Sequence, residues 1–206
     1  MEYQIRRMLM SVVLLGCAAA VAQAQQKPNI IAFGSDSPER GTTRVGYWNR
    51  AKNHGAGQFA IDHGRPAWKK EYEDAAKFDT MTKGHVWRLG DNFWTTLDTD
   101  MPLTIAGKTV PAGVWYLGVQ RSADGVQWNL VFIDPVKARA GHIDASEIDR
   151  APIEFKAPLT LEQVTDMKDK VTIDLLYKAP NIQDVTLRIG WGKLQLSAPI
   201  KVPALE

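Results

Sequence analysis

The sequence GHVWRLGDNFWTTLDTDMPLTIAGKTVPAGVWYLGVQ at residues 84–120 decides the fold prediction. From residue 93 to residue 105 the odd positions are apolar or β-branched, and most even positions are polar. This alternation is typical of a β-strand with one buried face. The side chains that we therefore predict in the core are Phe93, Leu97, Leu103 and Ile105.

Two breaks divide this alternating pattern into separate strands. Pro102 has no amide hydrogen to give to a strand ladder, so we predict a bend there between two strands. The Ala-Gly-Lys sequence at 106–108 predicts a tight turn. After the Pro-Ala-Gly sequence at 111–113, the alternation through residues 115–119 predicts a returning antiparallel strand.

The same two-residue period recurs along most of the chain after residue 58. Further strands are predicted at 58–63, 126–132, 153–157, 171–177, 185–191 and 194–200. The apolar positions change parity after Gly190 and Gly192, as a β-bulge requires. Short strands separated by turn residues predict a mainly β fold: an antiparallel β-sandwich, jelly-roll-like or a related barrel, with one short helix.

The helix is predicted at residues 67–78, before the opening stretch. Three large or helix-favouring residues recur there at helical spacing, namely Trp68, Tyr72 and Ala76. Two shorter segments also have helical features. One is a short helix at 145–148, and the other is a helical turn at 160–163, where Thr-Leu-Glu-Gln fits a capping box.

The first 24 residues have the features of a signal peptide. Arg6 and Arg7 precede an apolar run at 8–21, and the Ala-Gln-Ala sequence at 22–24 has small residues at the spacing of a cleavage site. We therefore predict a signal peptide at 1–24 and a mature protein that is periplasmic or secreted.

Cys17 leaves a second route of export open. The Leu-Leu-Gly-Cys sequence at 14–17 is similar to a lipoprotein cleavage box, which would place a lipid anchor on Cys17 and hold the protein at the membrane. A leucine such as Leu15 is uncommon two positions before the cysteine of a lipoprotein cleavage box, so the Ala-Gln-Ala site at 22–24 is the better match. Cleavage there leaves a mature chain with no cysteine and hence no disulfide.

The rest of the chain is predicted to hold one domain. Residues 25–57 are rich in turn residues and predict a loosely packed N-terminal extension, whereas 58–203 predict a single β-sandwich domain. A net charge of +2 without a basic cluster in the mature chain gives no indication of nucleic-acid binding. No apolar run in the mature chain approaches the roughly 20 residues of a transmembrane helix.

Several short motifs occur in order along the chain. They are Gly64-Arg65-Pro66, Gly84-His85-Val86-Trp87-Arg88-Leu89-Gly90, Gly107-Lys108, Pro111-Ala112-Gly113 and Trp191-Gly192-Lys193. Together they resemble the family known as domain of unknown function 2911, over residues 57–202. That family consists of exported bacterial proteins, so the resemblance implies a single exported β-rich domain without an assigned activity. His63 departs from the family pattern, in which tyrosine is more typical.

Arg65 and Arg88 are the charged residues of most interest, because each lies in a motif beside a strand end. A guanidinium group can grip a carboxylate or phosphate at two points, so the pair could clamp an anionic ligand. The alternative is structural, with each arginine holding loops together through Asp79, Asp91 or backbone carbonyls.

Four tryptophans could provide a flat surface for a sugar ring or an aromatic ligand: Trp87, Trp94, Trp115 and Trp128. Strand parity assigns Trp115 and Trp128 to the core and Trp94 to the opposite face. The candidate ligand-binding residues are therefore Arg65, Arg88, Asn92, Trp94, His63 and Trp87. The predicted ligand is an unidentified small molecule or glycan.

Catalytic motifs are not found in the sequence. The histidines lack the close spacing of a metal site, and there is no Gly-x-Ser-x-Gly element, so we predict no metal or cofactor. We interpret the protein as a non-catalytic binding domain of the periplasm or cell envelope. The alternative is a hydrolase or lyase acting on envelope or polysaccharide material through Asp62, His63 or His85.

Overall fold

The computed structural model of the protein describes residue 30, residue 32 and residues 39–205. The predicted signal peptide at 1–24, the lipidation candidate Cys17 and residues 25–29 of the predicted extension lie outside the described residues. Residues 39–205 belong to one compact unit. None of the helices described in this part of the chain has the length and apolar character needed to cross a membrane.

Ten β-strands make up most of residues 39–205. They are β1 (Arg40–Asn49), β2 (His54–Gly64), β3 (Val86–Arg88), β4 (Thr95–Thr99), β5 (Leu103–Ile105), β6 (Lys108–Val110), β7 (Gly113–Arg121), β8 (Trp128–Ile133), β9 (Ile153–Lys178) and β10 (Asn181–Lys201). One sheet joins them in the order β1-β2-β4-β7-β8-β9-β10-β5-β6, and β3 also pairs with β7. Every pairing between these strands is antiparallel. The prediction of a mainly β, antiparallel fold is therefore confirmed.

The main hydrophobic core contains side chains from both ends of this strand order. Phe59 from β2 and Leu130 from β8 lie in the same cluster as Leu187 from β10. The hydroxyl of Tyr47 in β1 donates a hydrogen bond of 2.9 Å to the carbonyl of Ile182 in β10. The sheet thus curves until its distant strands come together. The predicted core residues that lie here, each 1% exposed, are Leu97, Leu103 and Ile105.

Phe93 is a correction to the predicted core, because its side chain is 39% exposed. It precedes β4, in a loop where Asn92 has a positive φ of 59°. The guanidinium of Arg40 lies 5.8 Å from the centroid of the Phe93 ring. The strand begins only at Thr95, so the alternation that looked continuous includes two residues of loop.

The predicted breaks around β5 are confirmed. Pro102 separates β4 from β5. Ala106 and Gly107, with φ values of 45° and 79°, form the two-residue turn between β5 and β6. Both residues have the left-handed conformation that favours such a hairpin turn.

A second, smaller core lies on the other face of β7 and β8. It is covered by the helix α2 (Pro135–Ala140), which the sequence did not predict, and by a 3₁₀ turn at Ala145–Arg150, where a short helix was expected. Its buried residues are Val86, Tyr116, Val131, Ile133, Ala138, Ile148 and Ala151. Strand β7 is therefore buried on both faces over part of its length.

The helix predicted at 67–78 is wrong in extent. Ala67 forms a strand bridge with Lys170, and the backbone N–H of Trp68 donates to the carbonyl of Asp169 at 2.7 Å. A 3₁₀ turn follows at Lys70–Glu73, and the α-helix α1 begins only at Ala75 and ends at Thr82. Because β9 binds this backbone edge, the first turn of the predicted helix cannot form.

The helical turn predicted at 160–163 is also wrong, because β9 runs through these residues. The carboxylate of Glu162 accepts a hydrogen bond of 2.6 Å from the Ser197 hydroxyl on β10, and another from the Gln195 amide. Glu162, inside the predicted helical turn, therefore bonds across the strand ladder.

The prediction of a loosely packed extension at 25–57 is wrong for residues 40–57. Strand β1 pairs with β2 from Arg40 opposite Gly64 to Asn49 opposite His54. Only Val45 and Tyr47 of β1 are buried. Two inward side chains among glycine and threonine give a weak alternation, and the sequence pattern therefore did not reveal this strand.

Candidate functional site

Two motifs of the sequence meet through their glycines. A Cβ on Gly90 would lie 2.9 Å from the backbone nitrogen of Gly64, and one on Gly64 would lie 2.7 Å from the backbone nitrogen of Asp91. Gly90 also has a φ of +140°, which side-chain-bearing residues rarely adopt. The end of β2 is therefore packed directly on the loop after β3. This contact brings Arg65 and Arg88 to the same cavity.

Aromatic rings form one wall of that cavity. Trp87 of β3 stacks on Trp191 of β10, with ring centroids 4.7 Å apart and planes 17° from parallel. Trp68 and Tyr72 pack against Trp191, at 5.0 Å and 4.9 Å between centroids. The rings fit together because β10 has a bulge at Gly192, whose φ is +58°. A Cβ on Gly192 would lie 2.5 Å from the ring of Trp68.

The cavity has a volume of about 790 Å³ and is open to solvent. Its walls come from the ends of β2 and β3, the 3₁₀ turn at Ala145–Arg150, and the long strands β9 and β10. The cationic and aromatic residues that line it include Arg65, Lys69, Tyr72, Trp87, Arg88 and Trp191. Cavities of this size hold small-molecule ligands in many proteins.

Glu39 neutralises one side of the cavity. Its carboxylate accepts from Nζ of Lys170 at 2.6 Å and forms an ion pair with the guanidinium of Arg65. The hydrogen bond from Lys170 and the charge of Arg65 lower the pKa of Glu39. Nε of Arg65 also donates to the carbonyl of Val171 at 3.3 Å. The carboxylate that pairs with Arg65 is therefore Glu39 and not Asp79 or Asp91, the partners considered from the sequence.

Arg88 has a different environment on the same cavity. Its Nη1 donates a long hydrogen bond of 3.4 Å to the backbone carbonyl of Asn92. Within residues 39–205 it has no carboxylate at ion-pair distance. Asp79, one of the partners considered from the sequence, pairs instead with Arg121 and Lys83. Arg88 is therefore a half-buried cation on the cavity without an ion-pair partner among the described residues.

Acidic groups also line the cavity, on the side of the 3₁₀ turn. Oδ1 of Asp149 accepts from the backbone N–H of Val86 at 2.7 Å, which fixes that carboxylate beside β3. Its Oδ2 lies 3.5 Å from Nδ1 of His85. Hydrogen bonds from Ser146 lower the pKa of Asp144, on the same turn, and the nearby charge of Arg88 lowers it further. The charge around the cavity is therefore mixed, and Arg88 is a half-buried cation with Asp144 nearby but no carboxylate within ion-pair distance in the described chain.

Three predicted site residues do not line this cavity, namely Asn92, Trp94 and His63. Asn92 contributes its carbonyl to Arg88. Trp94 lies on the face opposite the main core, as parity predicted, but it stacks on Tyr116 at 4.5 Å and packs against the second core. The predicted core position of Trp128 is confirmed, at 4% exposed, and Trp115 packs at the core edge.

His63 is buried on the inner face of β2, where it is 3% exposed and neither ring nitrogen has a hydrogen-bond partner. Burial lowers the pKa of His63 to about 4. Its neighbour Asp62 points the other way and accepts from Nε of Arg40 at 2.8 Å. His85, by contrast, is an exposed residue beside Asp149. The structure therefore does not bring Asp62, His63 and His85 together around a substrate, and residues 39–205 contain no cluster of three metal-binding side chains.

Sequence reasoning missed several residues of the cavity, including Lys69, Lys170 and Glu39. Trp191 could have been found, because its Trp-Gly-Lys motif was already recognised. Lys170 had no local signal. It reaches the cavity because Val171 of β9 donates its N–H to the carbonyl of Pro66, a contact between distant parts of the chain.

The fold and the cavity define a class of protein: an antiparallel β domain in which three of the five sequence motifs meet at one aromatic, partly cationic cavity. The chain belongs to the family described as Protein of unknown function (DUF2911), which it matches over residues 49–200. This match confirms the family resemblance seen in the motifs. Comparison with curated proteins and with solved structures finds no match.

Proposed function

We propose that this protein is an exported, non-catalytic binding domain of the periplasm or cell envelope, and that it takes an anionic ligand into the cavity beside Arg88. The observation that carries the proposal is the half-buried guanidinium of Arg88 on an open cavity, where no carboxylate of the described chain lies within ion-pair distance, although Asp144 is near enough to feel its charge. A buried or half-buried cation is stabilised by a paired anion, and a guanidinium can hold a carboxylate or phosphate through two hydrogen bonds.

The rest of the cavity supports binding in preference to reaction. Trp87, Tyr72 and Trp191 provide rigid aromatic surface, which binds apolar or ring-shaped parts of a ligand with little loss of side-chain entropy. The histidine considered as a catalytic group, His63, lies outside the cavity and is held neutral by burial. Export is supported by Arg6 and Arg7, by the apolar run that follows them and by the Ala-Gln-Ala sequence at 22–24.

The test is a pair of measurements on Arg88→Ala. Binding of butanoate and of inorganic phosphate is measured by calorimetry, and stability by thermal unfolding. We expect wild-type protein to bind at least one of these anions and the variant to bind it about 10- to 100-fold more weakly, since a hydrogen-bonded charge pair is lost. The melting temperature should stay close to that of the wild type.

Arg150→Ala is the matched control. Arg150 lies on the neighbouring 3₁₀ turn but pairs with Glu147 and does not line the cavity. Its removal should leave anion binding unchanged. A large fall in the melting temperature of Arg88→Ala, together with anion affinity equal to that of the wild type, would show that Arg88 is structural and would refute the proposal.

A further inference from the structure

A second cavity, of about 650 Å³, lies beside the first and shares Tyr72 with it. Its main lining residues are Trp68, Tyr72, Phe78, Trp128, Met167 and Leu194. Arg121 also lines it, but this arginine is paired with Asp79 at 2.6 Å. Glu73 and Lys193 also line it. The other side chains of the second cavity are aromatic or aliphatic, so it offers more hydrocarbon surface beside fewer charged groups than the cavity around Arg88.

Its rim exposes apolar surface to water. Leu161 and Met167 are each 44% exposed, and both come from the part of β9 that forms this cavity. Apolar surface gathered beside aromatic rings is stabilised when another apolar group covers it. Methionine adapts its shape to such groups because its side chain is unbranched and flexible.

Tyr72 is the wall common to the two cavities. Its ring packs edge-on against Trp68, with centroids 5.4 Å apart, and Nζ of Lys69 lies 5.9 Å from its centroid. A molecule that passes this half-buried ring would leave cationic surroundings near Arg88 and Lys69 and enter apolar surroundings near Met167.

We propose that the ligand is an anionic amphiphile, with its charged group beside Arg88 and an alkyl chain that crosses Tyr72 into the second cavity. This inference rests on the function proposed above and adds the chemical class of the ligand. The first cavity takes the head because the half-buried guanidinium of Arg88 lies there with no carboxylate within ion-pair distance in the described chain. The second takes the chain because contact with its aromatic and aliphatic side chains removes hydrocarbon of both the ligand and the protein from water.

The test uses the full mature protein and a series of straight-chain carboxylates, from butanoate through hexanoate and octanoate to decanoate, all below their micelle concentrations. Calorimetry should show affinity rising with length by up to about fourfold for each added methylene that becomes buried. The uncharged alcohol of the same length as octanoate should bind at least about tenfold more weakly, because it leaves Arg88 unpaired.

Met167→Asp places a charge in the second cavity at an exposed position, so the protein should fold normally. This variant should bind butanoate like the wild type and lose the gain in affinity from longer chains. Leu176→Asp is the matched control, because Leu176 is also a partly exposed apolar residue of β9, 39% exposed, and does not line the cavity. Leu176→Asp should keep the dependence on chain length.

The outcomes separate this inference from the function on which it rests. Equal affinity for all chain lengths, with binding still dependent on Arg88, would overturn the amphiphile and leave the anion-binding site intact. A chain-length dependence that persists in Met167→Asp would also overturn it, because the chain would then lie elsewhere. Failure of every anion to bind the wild type would refute both proposals.

Discussion

The indole rings of Trp87 and Trp191 stack at 4.7 Å although their strands, β3 and β10, are not hydrogen-bonded to each other. The stack joins two motifs that are about half the chain apart in sequence. It depends on the bulge at Gly192, which makes room for Trp68 behind Trp191. The aromatic wall of the cavity is therefore fixed by backbone geometry as much as by the rings themselves.

Gly192→Ala should destabilise the protein. Alanine is strained at a φ of +58°, and its Cβ would lie 2.5 Å from the Trp68 ring. We expect the free energy of unfolding to fall by about 2–4 kcal/mol, measured by urea denaturation. Gly46→Ala in β1 is the control, because nothing lies within 4 Å of a Cβ there. Equal effects of the two substitutions would contradict the packing of Gly192 on Trp68.

Gly64→Ala tests the junction of the two motifs. The new Cβ would meet the side chain of Asp91 and would lie 2.7 Å from its backbone nitrogen and oxygen. The side chain can move aside, but the two main-chain atoms can move only if the loop itself shifts. We expect a loss of about 1–3 kcal/mol in the free energy of unfolding, together with weaker anion binding, because Arg88 would be displaced from Arg65.

Gly55→Ala is the control for this change, since it lies in the same strand, β2, with nothing within 4 Å of its Cβ position. Both variants are compared by urea denaturation and by butanoate calorimetry. The proposed junction is wrong if Gly64→Ala is no less stable than Gly55→Ala.

His63 should make the protein lose stability as the pH falls from 7 to 5. The pKa of His63 is about 4 in the folded protein and near 6.5 in the unfolded chain, so the unfolded state binds more protons in this range. The contribution of the neutral imidazole to the free energy of unfolding is therefore fully present above pH 6.5 and is lost progressively as the pH falls toward 4. The expected change between pH 7 and pH 5 is about 2 kcal/mol, measured by urea denaturation at each pH.

His63→Leu should flatten this dependence, because leucine takes up no proton. His54→Gln should leave it unchanged, since His54 is exposed at the start of β2. If the slope between pH 7 and pH 5 were the same in His63→Leu as in the wild type, a different group would be responsible.

Glu39→Gln should strengthen anion binding. The carboxylate of Glu39 accepts from Lys170 and pairs with Arg65, so removal of its charge leaves both cations available to a ligand. The expected gain in affinity for butanoate is about two- to fivefold and should shrink in high salt, because these charges are exposed to screening.

Glu154→Gln is the matched control for Glu39. Glu154 also forms an ion pair with a lysine, Lys137, but does not line the cavity. Its variant should bind butanoate like the wild type. Weaker binding by Glu39→Gln would show that Glu39 orders the site for the ligand instead of competing with it.

The elements that could be predicted from sequence are those set by local rules. Leu97, Leu103 and Ile105 are buried where alternation placed them, and Pro102 separates two strands because it has no amide to donate. The turn at 106–107 followed from residues that tolerate a left-handed backbone.

The elements that could not be predicted depend on distant contacts. The helix expected at 67–78 begins late because the backbone of Trp68 binds Asp169, a residue about half the chain away. Strand β9 runs for 26 residues but looked like separate short segments, since its middle part is exposed and has no alternation.

The candidate site, like the fold, was predicted only in part from the sequence. Arg65, Trp87 and Arg88 stood out because they lie in motifs, and all three line the cavity. Trp94 was chosen by parity, which cannot show that Tyr116 and the second core cover that face. Three of the six residues predicted to share one ligand site do not line this cavity. For the other three, a role in binding stays a prediction.

The ladder between β9 and β10 supplies residues to both cavities. Lys170 and Trp191 line the charged one, whereas Met167 and Leu194 line the apolar one. Because a single pair of strands forms a side of each chamber, a change in its twist would alter both openings together. We therefore expect a ligand bound in one cavity to change the shape of the other cavity through β9 and β10.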